Sequence, residues 1–455
     1  MKARQPVQRD YSRELIGNSS DARRACGCGV TLTDNEEFDL LIVGAGPAGS
    51  FAAELLARGG ARVALFDGRP PGEPKACGGG VTSKALKAYP HLLDAAGRTV
   101  SEVEMFSPAG GRVRLRLRDP FAIYSRTAFD SHLRERARAA GALIFDERVS
   151  ANFDRQEGEP WTVRTRDKKR AWRGRVLVAA DGANSPVARR LAGALPNREM
   201  EVAFGYRAPL PRADEAPTVI AFLPGWVGYA WAFPRLDHVS FGIATTQDAF
   251  DHRALDELLW DFMIGYYAQR EDDSAPIWST RGARREDSPA SINEVRGDSG
   301  AENLRAAVEE KLRASVDAYA ARIPGLAPET WDARRVCGDG WALVGDAAGF
   351  ADPVTGEGIY YALRSAEILA VSFLEGRLAD YEARCRADFV RELRRASQMR
   401  KRFYGEFFGA PFTSRMIDLA RLLPGVRRTL RELVAGDQGY LNLKRKLARR
   451  ALMPF

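Results

Sequence analysis

The sequence predicts a mixed α/β fold. A parallel-sheet, nucleotide-binding domain is laid down in separate pieces, an antiparallel-sheet domain interrupts it, and a helical C-terminal region follows. Three observations carry this. A strand, glycine-rich turn, helix and second strand run through residues 39–69, the pattern of a parallel βαβ unit. Apolar strand–turn segments return near Val176 and Leu343. Between them, 202–244 alternates and is rich in aromatics, as antiparallel strands are.

The elements follow in order. Residues 1–36 are polar, charged and aperiodic, and predict a disordered extension. Residues 40–43 form a short buried strand, 50–58 have helical spacing ended by Gly59 and Gly60, and 61–66 are a second strand. Residues 100–124 read as a strand pair plus a third short strand, FAIY. A helix is expected over 127–140 and an apolar strand over 176–180, ending at Asp181-Gly182. The polar, turn-rich stretch 270–300 predicts a mobile insertion. Beyond it come a helix over 301–323, a strand over 343–345, a helix over 359–374 and a helical remainder. The nucleotide-binding domain then takes 37–99, 126–195 and 331–375. The inserted domain takes 100–125 and 196–330, and 376–455 is the tail.

A chain of 455 residues, 45% hydrophobic and 28% charged, is long enough for two or three domains with a large core. It has no run of about 18 apolar residues, so no membrane-spanning helix is expected. The N-terminus lacks the apolar stretch of a signal peptide, which makes the cytoplasm the expected location. Cys26, Cys28, Cys77, Cys337 and Cys385 are odd in number and scattered, unlike a disulfide framework. With only four histidines, the lone C-x-C pair makes no zinc or iron–sulfur pattern, and no metal is expected.

The net charge of +8 is unevenly spread: 376–455 holds 19 Lys and Arg against 8 Asp and Glu, a net of +11, which leaves −3 elsewhere. Such a local excess speaks to a partner of the tail. Met416, Leu419, Leu423, Val426 and Leu430 fall at helical spacing, with Arg415, Arg421, Arg427, Arg428 and Arg431 beside them. Pro424 should kink or restart the helix. A cationic amphipathic helix of this kind either lies on an anionic membrane or packs on the inserted domain with a solvated basic face. No recognition motif accompanies the charge, so nucleic acid is not an expected partner.

Four motifs carry chemistry. In Gly44-Ala45-Gly46-Pro47-Ala48-Gly49, Gly44 allows the tight turn, Gly46 lets a diphosphate approach the backbone, and Gly49 lets helix and strand pack closely. Asp67 ends the next strand, where a ribose hydroxyl needs an acceptor. In 342–367, Gly345 and Asp346 follow a strand, and Gly356, Gly358 and Ile359 open a second helix N-terminus, which stabilises negative charge. Arg126 opens the third motif as a candidate phosphate or cofactor contact. Asp181 and Gly182 close a loop in the fourth. The alternative at each place is a plain strand–turn–helix or surface turn.

In this order the four motifs resemble the FAD-binding flavoproteins of the para-hydroxybenzoate hydroxylase type, with a Rossmann-like cofactor domain. KACGGGV at 75–81 and YAWAFP at 229–234, with Gly242 downstream, narrow the resemblance to the geranylgeranyl reductase family. Those enzymes use reduced FAD to saturate double bonds of polyprenyl chains. The resemblance covers about 39–374, and neither the N-terminal extension nor the polar insertion has a counterpart in it. It implies FAD held by the residues named above together with Ala48, Lys75, Gly78 and Gly79, and a Cys77–Gly80 loop beside the isoalloxazine.

Adding hydride to an unactivated alkene also requires a proton, and Cys77 is the candidate acid, with Lys75 near enough in sequence to tune it. The alternative is a small buried cysteine filling a tight turn. Tyr229, Trp231 and Phe233 alternate along a strand and therefore share one face. That face is either an aromatic wall for an apolar chain or ordinary sheet core. Only one dinucleotide fingerprint is present, so NADPH visiting the substrate cleft or a ferredoxin-like protein is the expected electron donor. Expected partners are a polyprenyl lipid or prenyl diphosphate and the inner face of a membrane. Two alternatives stay open: a monooxygenase or halogenase of the same fold, since tryptophan halogenases carry a related Trp-x-Trp-x-Ile-Pro pattern, and a non-catalytic flavin-bearing membrane-associated protein. The CGGG loop argues for the reductase.

Overall fold

The computed structural model describes residues 37–70, 75–149, 152–212, 216–246, 251–279, 299–313, 315–407 and 409–452. The expected extension over 1–36 and the centre of the expected insertion, 280–298, lie outside the described residues.

Strand β1 (Glu37–Val43) runs through Gly44 into the helix Pro47–Arg58, and β2 (Val63–Phe66) lies parallel to β1. β1 reads as an unbroken apolar run because helices or strands cover both its faces. Pro47 opens the helix at a position where its missing N–H costs nothing. The chain then crosses to a second sheet through β3 (Gly80–Val81), β4 (Gly97–Phe106) and β5 (Arg112–Tyr124). The helix Arg126–Ala139 returns it to β6 (Leu143–Phe145), parallel to β2. β7 (Phe153–Asp154), β8 (Trp161–Arg164) and β9 (Ala171–Ala179) form a meander, and β9 pairs with β1.

A second excursion builds β10 (Met200–Pro209), β11 (Thr218–Phe222), β12 (Gly228–Pro234) and β13 (His238–Thr245). The helices His252–Glu271 and Ser299–Arg313 and strand β14 (Asp317–Pro324) complete it. β15 (Cys337–Gly338) and β16 (Trp341–Leu343) rejoin the first sheet, and the helix Ile359–Leu374 packs on Pro47–Arg58. The first sheet has the order β15-β16-β9-β1-β2-β6, with β7 and β8 carried on β9. The second has the order β14-β10-β13-β12-β11-β4-β5-β3. The second sheet is antiparallel except where β11 meets β4. The mixed α/β architecture is thus the one the sequence predicts.

Three local expectations are corrected. The helix expected over 301–323 stops at Arg313, because Asp317–Pro324 pairs with β10 from Met200↔Pro324 to Arg207↔Asp317. An open strand edge there outweighs the helical propensity of an alanine-rich segment. FAIY is the end of β5 rather than a third strand. Pairing jumps from Val100↔Phe121 to Glu102↔Arg116, so Pro120 falls in a bulge, where a missing N–H is tolerated. The tail is mostly helical, broken by a short hairpin of β17 (Glu406–Phe407) and β18 (Ala410–Pro411) and by an irregular segment over 435–442.

Within the tail, Pro424 restarts the chain as a new helix, Pro424–Val434, after Phe412–Leu422. Met416, Val426 and Leu430 are buried in a core shared with Val103, Met105 and Leu115 of β4 and β5. The apolar stripe is therefore spent on the second sheet. Leu419, 44% exposed, is the member that is not. Among the described residues, no helix is long and apolar enough to cross a membrane.

Candidate active site

A cavity of about 1390 Å³ lies between the two sheets. At one end is the turn after β1. Gly44 has φ +106°, and a Cβ there would stand 2.4 Å from the Ala180 carbonyl oxygen. A Cβ on Gly49 would stand 1.9 Å from the Gly44 carbonyl oxygen. Gly49 does not line the cavity; it lets helix and strand touch. Gly46 faces open space, its nearest neighbour being Lys75 Nζ at 3.9 Å. No side chain caps the helix Pro47–Arg58, which leaves its first-turn amides available to an anion. The helix Ile359–Leu374, entered through Gly358, is likewise without a side-chain cap.

Charged groups surround this end. Lys75 lines the cavity, and the Arg126 guanidinium, followed by burial, lowers its pKa against the pull of Asp130 and Asp346. Arg126 is buried and gives a two-pronged bond to Asp130, at 2.8 and 3.0 Å, so much of its fork is already committed. Burial works against its charge, but Asp130 and Cys77 more than offset this and hold its pKa raised. Asp67 is buried at the end of β2, accepts the Arg69 backbone N–H at 3.2 Å and pairs with Arg134 at 3.2 Å. Asp181 accepts from Ser185 Oγ with one oxygen, while its other oxygen is buried with no partner among the described residues. Burial pushes its pKa up to about 6. Asp346 also lines the cavity with its pKa raised by burial, opposed by Lys75 and Arg126. Gly345 does not line it: φ is +56°, and a Cβ would lie 3.0 Å from Ala48 Cβ.

These residues fit a diphosphate-linked dinucleotide. Two uncapped helix ends and Lys75 suit phosphate charge, and the orphaned Asp181 oxygen suits a hydroxyl donor. Gly44, Gly46, Ala48, Asp67, Gly356, Gly358 and Ile359 share the cavity wall with them.

The Cys77–Gly80 loop lies against the aromatic strand. A Cβ on Gly78 would stand 3.1 Å from Trp231 Nε1, and one on Gly80 would stand 2.7 Å from Phe121 Cζ. Gly79 has φ +84°, and its Cβ would stand 2.2 Å from the Tyr124 carbonyl oxygen. The glycines thus let bare backbone lie flat on the rings of Phe121, Trp231 and Phe233 while the loop lines the cavity. Tyr229, Trp231 and Phe233 do share one face, with successive ring centroids 6.0 and 6.4 Å apart. They line the cavity, and Trp231 and Phe233 are also buried in the sheet core. Opposite Trp231 stands Gly242, where a Cβ would meet the indole ring at 2.2 Å. Cys77 is half-buried and its Sγ accepts the Gly79 N–H at 3.3 Å.

Sequence reasoning missed several wall residues. Asp352 Oδ1 accepts from Val354 N at 2.8 Å, Thr355 N at 3.2 Å and Tyr440 Oη at 3.2 Å. Glu357 accepts from Thr82 Oγ1 at 2.5 Å, which ties the loop before Ile359 to the end of the glycine loop. Burial raises the pKa of both carboxyls. Both stand between the glycines of the second motif and were open to notice. Leu430, Leu433 and Tyr440 of the tail carry no local signal of a role in the cavity, yet they line it.

Residues 37–216 match the FAD binding domain family. Together with the dinucleotide-shaped end of the cavity, this defines an FAD-binding protein of the oxidoreductase class. The chain belongs to the geranylgeranyl reductase family. It is 30% identical over 378 residues to the geranylgeranyl diphosphate reductase of Rhodobacter capsulatus, covering 78% of this chain and 81% of the relative. It is 28% identical over 386 residues to digeranylgeranylglycerophospholipid reductase 1 of Methanothermobacter thermautotrophicus, covering 78% and 84%. A solved geranylgeranyl bacteriochlorophyll reductase-like protein from Thermoplasma acidophilum shares the fold, with TM-score 0.67 and 20% identity over 91% of this chain and 99% of that one.

Proposed function

We propose that the chain reduces isolated carbon–carbon double bonds of a geranylgeranyl-type polyprenyl chain. One observation carries this reading: a single cavity joins the dinucleotide turn to an aromatic wall and then to an apolar lobe of Phe222, Phe403, Leu430 and Leu433. A long hydrocarbon with few polar features suits that lobe. The two named relatives above share a prenyl chain and differ in head group, so the chain is the part of the substrate to which the reading commits.

Bound FAD would supply the hydride. The neighbouring carbon needs a proton, and Cys77, half-buried on the cavity wall, is the proposed donor. Tyr229, Trp231 and Phe233 would align the chain, and the glycine loop on their rings leaves no side chain between wall and substrate. Lys75, Asp181 and Asp346 are the proposed polar contacts to the cofactor. The proposed electron donor is NADPH visiting the cavity or a ferredoxin-like protein.

The tail supports a further part of the reading. Leu419, Leu422 and Leu441 are 44%, 77% and 54% exposed on the most basic part of the chain, and Leu441 also borders the cavity. These leucines, with the arginines between them, would meet an anionic bilayer. Flotation with anionic vesicles at low salt, lost in Leu422→Ser, is expected; absence of low-salt binding removes this part.

The decisive experiment is anaerobic. The flavin is reduced with dithionite, geranylgeranyl diphosphate is added, and mass spectrometry reads gains of two hydrogens with flavin reoxidation. Reduced flavin that persists, then reacts quickly when O2 and an aromatic substrate are supplied, moves the assignment to the monooxygenase branch. Cys77→Ala should keep FAD and lose most alkene reduction.

A further inference from the structure

Arg235 stands just after β12, outside every motif read from the sequence. It is 5% exposed. Among the described residues it has no carboxylate within ion-pair distance; the nearby Asp237 pairs instead with His238. A buried guanidinium without a counter-charge is costly, and burial lowers its pKa. Its Nε finds no partner among the described residues. Such a group needs a reason to be there.

The reason is the Cys77 loop. Arg235 Nη2 donates to the Cys77 carbonyl oxygen at 2.5 Å and to the Gly78 carbonyl oxygen at 3.3 Å. A Cβ on Gly79 would stand 3.2 Å from the same nitrogen, so glycine there also makes room for the guanidinium. Arg235 is itself fixed, its backbone N–H donating to the His238 carbonyl oxygen at 2.7 Å across the turn into β13. Arg126, at the start of the helix Arg126–Ala139, and Tyr229 and Tyr319, on β12 and β14, line the same cavity as Cys77.

We propose that Arg235 is the positioning residue for Cys77: it holds the Cys77 and Gly78 carbonyls and so fixes where the loop presents the thiol on the cavity wall. This rests on the reading of Cys77 as the group that serves the reaction.

The test uses the full, FAD-loaded chain with Arg235→Met and Arg235→Lys. In Arg235→Met, amide hydrogen exchange over 75–82 should quicken at least about tenfold, with the helix Pro47–Arg58 unchanged. Turnover of geranylgeranyl diphosphate should lose roughly a hundredfold in kcat with KM little altered. Arg235→Lys, which keeps a charged donor and folds more readily, should recover part of both. The double variant Arg235→Met/Cys77→Ala should be no slower than Cys77→Ala alone, because the arginine acts through the thiol. Unchanged exchange over 75–82, or losses that simply multiply in the double variant, overturn the proposal. If Cys77→Ala turns over normally, the role of Cys77 falls, and exchange over 75–82 alone then decides whether Arg235 holds the loop.

Discussion

Gly79→Ala separates two reasons for a glycine that are usually confounded. Gly79 has φ +84°, and a Cβ there would stand 2.2 Å from the Tyr124 carbonyl oxygen. Gly110 has nearly the same φ, +83°, with nothing within 4 Å of its Cβ. Alanine at either site meets a left-handed backbone cost of about 1–2 kcal/mol. At Gly79 it also meets backbone that cannot rotate away, since the Tyr124 N–H is itself donated to the Gly79 carbonyl oxygen at 2.9 Å. Overpacking of this kind adds about 1–3 kcal/mol. Gly79→Ala should therefore be less stable than Gly110→Ala by roughly that added amount, read as the difference in urea midpoints at equal m. Flavin content should fall in the Gly79 variant alone. Equal midpoints for the two variants would refute the argument that contact, beyond φ, selects glycine in the loop.

Three further outcomes are expected. The folded-state pKa of Asp181 is raised to about 6 from 3.8, so in flavin-free protein this group costs stability progressively as pH rises from 4 to 6. Asp181→Asn should remove that dependence, a gain of up to about 3 kcal/mol above pH 6, read in parallel urea titrations. Glu432 is held at about 2, its burial outweighed by bonds from Arg450, Lys446 and Arg428, of which the first two pin the helix Leu443–Leu452. The stability it contributes is present above pH 4.5 and lost as pH falls toward 2, and Glu432→Gln should speed amide exchange in that helix at neutral pH. Trp231→Ala should raise KM for a prenyl substrate about tenfold or more while flavin stays bound, because it removes a ring from the wall without touching the dinucleotide turn.

What was legible in the sequence follows a physical rule. Gly44, Gly49, Gly79 and Gly345 answer backbone demands, a left-handed φ or a Cβ that would strike backbone or a packed neighbour, and only one residue type answers them. The parallel strands were legible because burial on both faces forces unbroken apolar runs. Tyr229, Trp231 and Phe233 were legible because strand period alone sets their face. Arg235 was not. Its partners are two carbonyl oxygens some 158 positions away, and a backbone acceptor leaves no complementary residue to notice.

The tail shows the same limit from the other side. Helical spacing identified an apolar stripe at Met416, Val426 and Leu430 but could not say what covers it. A membrane and the back of a sheet ask the same thing of a helix: apolar residues on one face and charge on the other. Here the sheet takes most of the stripe, and what stays outside is charge plus three leucines. The apolar face therefore serves the cavity by holding Leu430 and Leu433 in its wall, and any lipid contact must come from the leucines the sheet leaves exposed, Leu422 above all. Membrane binding and the shape of the substrate lobe then become separable. Leu422→Ser should change the first and not the second, whereas a bulky residue at Leu433 should shorten the prenyl chains accepted and leave vesicle binding as it was.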